Sequence, residues 1–200
     1  TIILDFMIIS PLGAMMMPTL HISPQQFGLA VSSYAFSAGA SGLLAAGFAD
    51  RFDRKRLLLF FYAGFMLGTL LCALATTFPL LLMARIVTGL FGGVIGSVVL
   101  AIATDLFPLE MRGRVMGFIQ TAFAASQVLG LPAGLYFANH WDWHAPFFAI
   151  IAVAVPAGVV IALWMKPVAA HLALSQEHSP WMHLAHTLTE PRYRLAFILT

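Results

Sequence analysis

The stretch Ala46-Gly47-Phe48-Ala49-Asp50-Arg51-Phe52-Asp53-Arg54-Lys55-Arg56 decides the fold, because it places a dense group of charges between two long apolar runs. Six of the seven residues 50–56 are charged, although only 9% of the chain is Asp, Glu, Lys or Arg. Basic clusters between apolar runs of helical length are typical of short cytoplasmic loops in membrane proteins. The stretch therefore predicts a loop between two membrane-spanning helices.

The composition of the whole chain indicates an integral membrane protein. Hydrophobic residues make up 60% of the sequence and the mean hydropathy is +0.91, whereas ordinary soluble domains are roughly half apolar and about a quarter charged. The basic residues lie at the ends of apolar runs and form no groove-sized patch, so nucleic acid is not an expected partner. The single cysteine, Cys72, lies in an apolar run and is predicted to be a small core residue.

Membrane spans can be counted because a helix needs about 20 apolar residues to cross a bilayer. Six stretches qualify, and they are residues 2–20, 27–49, 57–78, 80–106, 115–138 and 145–165. In lipid each backbone polar group must find an internal partner, which favours helices. We therefore predict an all-α, integral membrane six-helix bundle over residues 1–166. A cytoplasmic linker with a possible interfacial helix is expected at 167–193, and the start of a further transmembrane helix at 194–200. The abrupt apolar beginning and end indicate a fragment of a longer protein.

The distribution of Lys and Arg predicts the orientation of the bundle. Every one of these residues except Arg85 falls after the second, fourth or sixth predicted helix. The positive-inside rule makes that side cytoplasmic. Loops 50–56 and 105–114 and segment 167–193 are thus expected in the cytoplasm, and the protein in a plasma membrane such as the bacterial inner membrane.

Two ionisable residues are predicted at membrane depth. At the helical rise per residue, Asp5 lies about 22 Å from the outer end of its helix and Arg85 about 9 Å from the outer end of the fourth. Charges at such depths normally face a cavity, a partner or a substrate path. The alternatives are an Arg85 side chain that extends outward to the interface, and an Asp5 that lies at the interface near the start of the chain. We predict that both residues belong to a proton-coupling or substrate path.

Small residues and prolines indicate where helices pack and bend. The second, fourth and fifth predicted helices carry small residues at four-residue spacing, which lets helix backbones approach closely. Gly89, Gly93, Gly130 and Gly134 belong to these rows. Pro11 and Pro132 lie within predicted spans, where proline is expected to kink a helix and free carbonyl groups.

The remaining polar residues predict neither catalysis nor a metal site. No carboxylate or cysteine at ligand spacing completes a set with His183 and His186. Enzyme signatures are absent from the sequence, so no enzymatic activity and no cofactor are expected. Trp141 and Trp143 are predicted to anchor an outer loop at the membrane interface.

The charged stretch resembles a motif of the major facilitator superfamily, in the amino-terminal six-helix half of that family. The family loop is Gly-x-Leu-Ala-Asp-Arg-x-Gly-Arg-Lys, and the matching residues here are Ala49, Asp50, Arg51, Arg54 and Lys55. Ala46 and Asp53 stand in place of the two glycines, and Phe48 in place of the leucine.

Other motifs extend the resemblance over the whole chain. Arg85, followed by Gly89, is similar to a family motif that the resemblance links to proton coupling. The run Gly130-Leu131-Pro132-Ala133-Gly134 is similar to the family's antiporter motif, with Leu131 inserted. The resemblance further implies a cytoplasmic charge latch, formed by Asp50, Arg51, Arg54, Lys55, Asp105 and Arg112.

The function implied by the resemblance is secondary transport by alternating access, in which two six-helix halves rock about a midplane site. We expect proton-coupled efflux of a small organic solute of the drug or sugar type. The expected partners are the solute, protons, the bilayer and a missing carboxy-terminal half of the same chain. A proton-coupled importer or a uniporter is the nearest alternative. A non-transporting membrane sensor or assembly protein on the same fold is the alternative of another class.

Overall fold

The computed structural model describes residues 1–46 and 48–168, without the side chains of Ala46 and Asp50. Within these residues there are six long helices and no strand, which confirms the all-α six-helix prediction. The helices are α1 Ile2–Leu20, α2 Pro24–Ala46, α3 Arg54–Ala73, α4 Phe78–Leu106, α5 Leu109–His140 and α6 Ala145–Trp164. Each is long and apolar enough to cross a membrane.

Helices α2 and α3 both begin in polar sequence before their apolar runs. Helix α2 begins at Pro24, three residues before the apolar run 27–49. The Ser23 hydroxyl accepts the Gln26 N–H at 3.2 Å and the Gln26 side chain accepts the Ser23 N–H at 2.9 Å, a reciprocal cap that starts the helix. Helix α3 begins at Arg54, since the Asp53 carboxylate accepts the Arg56 N–H at 2.9 Å. The apolar runs therefore predicted the membrane-spanning parts of the helices, whereas polar capping residues determine where the helices begin.

Asp50 belongs to neither of the two helices that flank it. Helix α2 ends at Ala46, three residues before the end of the predicted span 27–49, and Asp50 lies in a short 3₁₀ helix, Ala49–Arg51, between α2 and α3.

Helix α5 is continuous but contains one wider turn. Its α-helical parts, Leu109–Ala125 and Leu131–His140, are joined by a π-helical segment, Ser126–Gly130. Pro132 follows that segment and lacks the N–H that a regular helix would use. Insertions of this kind are the usual form of π-helix in proteins. The irregularity expected at Pro132 therefore lies one turn before it, while Pro11 lies inside an uninterrupted α1.

Glycines bring two pairs of helices close together. On α4, a Cβ at Gly93 would lie 2.6 Å from the Ala38 Cα, and one at Gly89 would lie 3.0 Å from the Tyr34 Cα of α2. Helices α2 and α4 are thus in backbone contact, as small-residue rows allow.

The second glycine pair packs helix α5 against helix α1. A Cβ at Gly130 would lie 3.1 Å from a methyl group of Leu4, and one at Gly134 would lie 3.1 Å from the Ile8 side chain. Helix α3 packs against both α4 and α6.

The buried apolar residues form two clusters at different depths. The outer cluster includes Leu12, Met16, Leu81 and Phe147, and also contains Cys72 as predicted. The inner cluster includes Phe61, Phe65, Val94, Val98 and Ala154. Helices α2, α3, α4 and α6 supply buried residues to both clusters, so the residues between the two clusters lie at an intermediate depth.

The outer loop between α5 and α6 differs from the predicted membrane anchor. Trp141 is 69% exposed, but Trp143 is 2% exposed and packs in the outer cluster. The prediction that both rings lie at the interface is wrong for Trp143, because the loop turns inward where the His144 ring contacts the Ala75 carbonyl oxygen at 2.9 Å.

The predicted linker lies almost entirely outside the described residues. So do His183, His186 and the expected start of a seventh helix at 194–200. At the last described position, the Val168 carbonyl accepts the Arg54 N–H at 3.1 Å.

Candidate functional site

Asp5 of α1 and Arg85 of α4 form an ion pair inside the bundle. The Arg85 Nη1 donates to the Asp5 Oδ2 at 2.8 Å, and both side chains have no exposed surface. Arg85 Nη1 also lies 3.4 Å from the Asp5 carbonyl oxygen. Neither an Arg85 that extends to the outer interface nor an interfacial Asp5 fits this geometry, so both of those alternatives are wrong.

The sequence placed these two residues at different depths, and the structure shows why that estimate failed. A Cβ at Gly92 of α4 would lie 3.6 Å from the Ile2 side chain of α1. Asp5 is about one turn above Ile2, and Arg85 about two turns above Gly92. The long Arg85 side chain covers the remaining distance. Counting from helix ends had assumed that the ends of α1 and α4 lie at one level.

Three further polar side chains surround the pair, and the sequence analysis missed all of them. Thr69 of α3 donates its hydroxyl to the Asp5 Oδ1 at 3.2 Å. The guanidinium carbon of Arg85 lies 4.5 Å from the centre of the Tyr34 ring of α2, within the range of a cation–π contact. Thr88 donates to the carbonyl oxygens of Ala84 and Arg85, at 2.9 and 3.0 Å. The only available signal was a polar residue inside an apolar run, which many packed helices also show.

The polar group lies between the two apolar clusters. On α4, Arg85 and Thr88 fall between Leu81 of the outer cluster and Val94 of the inner one. Asp5, Arg85, Thr69 and Thr88 are all fully buried. We call these four residues together with Tyr34 the midplane polar layer. The attraction between its charges is strong because the surroundings contain little water, and charge–charge interactions weaken as the local dielectric constant rises.

Two nitrogen atoms of Arg85 remain without a partner. Nε and Nη2 are buried and have no hydrogen-bond acceptor among the described residues. An unsatisfied buried donor costs about 1 to 3 kcal/mol. Arginine stays charged in proteins, whereas a carboxylate can bind a proton. The layer therefore contains one carboxylate that can bind a proton, Asp5, and two arginine N–H groups, on Arg85, that lack an acceptor among the described residues.

A second ion pair lies near the ends of α3 and α4. Arg54 Nε donates to the Asp105 Oδ2 at 3.2 Å, and Arg54 Nη1 lies 3.4 Å from the Ala49 carbonyl oxygen. The side chains are 8% and 22% exposed. Of the six residues expected in the latch, these two are brought into direct contact.

The other expected latch residues have different surroundings. Arg112 donates to the carbonyl oxygens of Phe107 and Thr104, at 3.2 and 2.9 Å, and so caps the end of α4. Arg51 is exposed and Lys55 is half-buried. The position of the Asp50 carboxylate lies outside the described part of the chain.

Comparison with known proteins agrees with this architecture. The chain matches the family model of the Major Facilitator Superfamily over residues 1–200. It is 30% identical over 161 residues to YceJ of Bacillus subtilis, an uncharacterized MFS-type transporter, covering 80% of this chain and 41% of that protein. It is 26% identical over 200 residues to multidrug resistance protein 2 of Bacillus subtilis, covering 96% of this chain and 49% of that protein.

A eukaryotic relative shows the same partial coverage. The chain is 34% identical over 132 residues to fnx2 of Schizosaccharomyces pombe, a vacuolar membrane amino acid uptake transporter, covering 64% of this chain and 23% of that protein. The chain thus spans at most about half the length of these relatives. These three relatives are named as transporters or as a resistance protein, and none of them as an enzyme. From the six membrane spans and the match over its full length, the chain belongs to the Major Facilitator Superfamily.

Proposed function

We propose that this chain is the amino-terminal half of a secondary transporter that exports a small organic solute in exchange for protons. The observation that carries the proposal is the fully buried Asp5–Arg85 pair with its two unpartnered arginine nitrogens. Charges within a bundle are costly, and they mark ion and substrate paths. Similarity to a multidrug resistance protein supports export.

The chemistry of coupling follows from the alternatives open to Asp5. Its carboxylate can be neutralised by Arg85 or by a proton. When a proton binds, the electrostatic attraction to Arg85 is lost, and the guanidinium becomes available to another acceptor such as a solute. When the proton leaves, Arg85 returns to the carboxylate. Thr69 keeps one carboxylate oxygen oriented through the exchange.

Alternating access connects this exchange to transport. The proton reaches Asp5 while the site is open to the outside and leaves while it is open to the cytoplasm, and the solute moves in the opposite direction. A second six-helix half is needed to enclose the path. The side that carries loops 50–56 and 105–114 would be cytoplasmic, and the membrane would be the bacterial inner membrane.

The experiment uses the full-length protein in everted membrane vesicles with an imposed proton gradient. For Asp5→Asn we expect solute accumulation to fall to that of vesicles without the protein, while solute exchange without a gradient continues. Asp142→Asn is the matched control, because Asp142 is an exposed carboxylate in the outer loop. Persisting exchange shows that the variant is folded. Accumulation by wild-type protein that does not depend on the gradient would contradict proton coupling.

The cytoplasmic charges are proposed as a latch that stabilises one access state. The latch comprises Asp50, Arg51, Arg54, Lys55, Asp105 and Arg112, and the Arg54–Asp105 contact at 3.2 Å supports it. Cysteine accessibility in Asp50→Asn and Arg54→Gln should show a changed ratio of inward-open to outward-open protein. An unchanged ratio in both variants would remove the latch.

Uptake is the second candidate, because the similar fnx2 is named as an amino acid uptake transporter. Proton exchange predicts solute accumulation in everted vesicles when protons are more concentrated inside them, whereas proton-coupled uptake predicts accumulation in right-side-out vesicles when protons are more concentrated outside. Accumulation only under the second condition would favour uptake over export.

A further inference from the structure

A groove of about 730 Å³ lies beside the short 3₁₀ helix and the first two turns of α3. Four phenylalanines form most of its wall, and they are Phe48, Phe52, Phe60 and Phe61. Phe52 is 52% exposed and Phe60 is 63% exposed. The groove is therefore open at the surface and offers aromatic rings to whatever enters it.

Two arginines lie at the loop end of this groove. Arg51 and Arg56 both line it and both are exposed, and neither forms an ion pair with another described residue. Asp53 also lines the groove, but its carboxylate accepts the Arg56 N–H at 2.9 Å and caps α3. The two guanidinium groups outnumber this single carboxylate, and the amino-terminal end of α3 adds further positive potential.

The charged and apolar parts of the groove lie at different depths. Phe60 is one helical turn farther along α3 than Arg56, which corresponds to about 6 Å toward the bilayer interior. The arginines thus lie at the loop end of the groove, while Phe60 and Phe61 lie farther toward the middle of the membrane-spanning helix α3. A water-soluble anion would use only the arginines, and an uncharged acyl chain only the rings.

We propose that the groove binds one anionic phospholipid. The phosphate is held by Arg51 and Arg56, and one acyl chain runs along Phe60 and Phe61. Arginine suits this role because its guanidinium can donate two parallel hydrogen bonds to a phosphate. Basic pockets on the cytoplasmic side of membrane proteins meet the leaflet in which anionic lipids are enriched.

The experiment is native mass spectrometry of the full-length protein in detergent with added phosphatidylglycerol or phosphatidylcholine of identical acyl chains. We expect phosphatidylglycerol to be retained preferentially. Arg51→Gln and Arg56→Gln should each weaken its binding about fivefold, the effect of one basic residue near a charged headgroup. Arg114→Gln is the control, since Arg114 is exposed on the same side but lies outside the groove.

A second series separates a lipid from a free anion and from a merely apolar groove. Phe60→Ala should weaken phosphatidylglycerol binding, whereas Phe118→Ala, at a residue 77% exposed on α5, should not. Inorganic phosphate at equal concentration should not displace the lipid. Displacement by phosphate, equal retention of the two lipids, or unchanged binding in both arginine variants would each overturn the proposal.

Lipid binding and proton coupling can fail independently. The groove does not include Asp5 or Arg85, so its lipid should be retained by Asp5→Asn. Loss of transport in that variant with the lipid still bound would affect only the coupling mechanism.

Discussion

The two ion pairs of this bundle have similar chemistry and opposite surroundings. The Arg85 Nη1 lies 2.8 Å from the Asp5 Oδ2, and neither side chain has exposed surface. The Arg54 Nε lies 3.2 Å from the Asp105 Oδ2, and these side chains are 8% and 22% exposed. Water can replace a lost partner at the second pair but not at the first. The Asp5–Arg85 pair is therefore costly to break unless a proton or another charged group replaces the lost partner. The Arg54–Asp105 pair can open at modest free-energy cost, because water reaches it.

The largest effect is expected from leaving Arg85 buried without its partner. Asp5→Asn should lower the free energy of unfolding by about 3 to 5 kcal/mol, because it creates an uncompensated buried charge. Denaturation of the full-length protein measures this, with Asp142→Asn as the control. Combining Asp5→Asn with Arg85→Met should recover part of the loss, since removing the guanidinium leaves no uncompensated buried charge. A double variant less stable than Asp5→Asn would contradict this explanation.

The next largest effect is expected where close packing of α2 and α4 positions the midplane polar layer. Gly89→Ala should cost about 1 to 3 kcal/mol through overpacking, because its Cβ would lie 3.0 Å from the Tyr34 Cα. Tyr34 carries the ring that contacts Arg85. Gly96→Ala on the same helix is the control, as nothing lies within 4 Å of its Cβ position. Equal stability of the two variants, measured by thermal unfolding, would argue against tight α2–α4 packing.

A smaller effect on stability is expected at the Arg54–Asp105 pair. Arg54→Gln should cost about 1 to 2 kcal/mol, the usual range for a charged hydrogen bond that is not fully dry. A double-mutant cycle with Asp105→Asn isolates the interaction. High salt should reduce the coupling energy here and leave the Asp5–Arg85 pair unaffected, since screening is weaker for buried charges. Equal salt sensitivity of the two pairs would contradict the difference in their surroundings.

The smallest effect is expected in the outer loops, which contain a third polar contact. His144→Ala should cost about 1 kcal/mol, because the His144 Nε2 lies 2.9 Å from the Ala75 carbonyl oxygen and joins two loops. Thermal unfolding provides the measurement. His140→Ala is the control, since His140 is exposed and contacts the carbonyl and ring of Tyr136 on its own helix and the adjacent Trp141 ring, without joining two loops. A larger loss for His140→Ala would show that this loop contact does not stabilise the bundle.

Much of the fold could be predicted because hydrophobic run length reflects the thickness of a bilayer. All six spans were located, and the first matched Ile2–Leu20 at both ends. The main error in helix bounds was at Arg54, which was assigned to a loop but begins α3, because capping by Asp53 rather than hydrophobicity starts that helix. Trp143 was misplaced because composition does not show which way a loop turns.

The candidate site was predicted less completely. Asp5 and Arg85 were recognised singly because a charge in an apolar run is unusual. Their pairing was not, since it depends on how α1 and α4 are offset. Tyr34 and Thr69 gave too weak a signal, because hydroxyl groups are common in packed membrane helices.

The sequence by itself determined that the chain has six segments able to span a membrane, and it predicted that the basic residues other than Arg85 lie on one side, because both inferences depend on local composition. Only the tertiary structure decided which charges meet. It set Asp5 against Arg85 in a dry layer and Arg54 against Asp105 near its edge. These contacts join helices distant in the chain, so their partners are set by packing and helix offset.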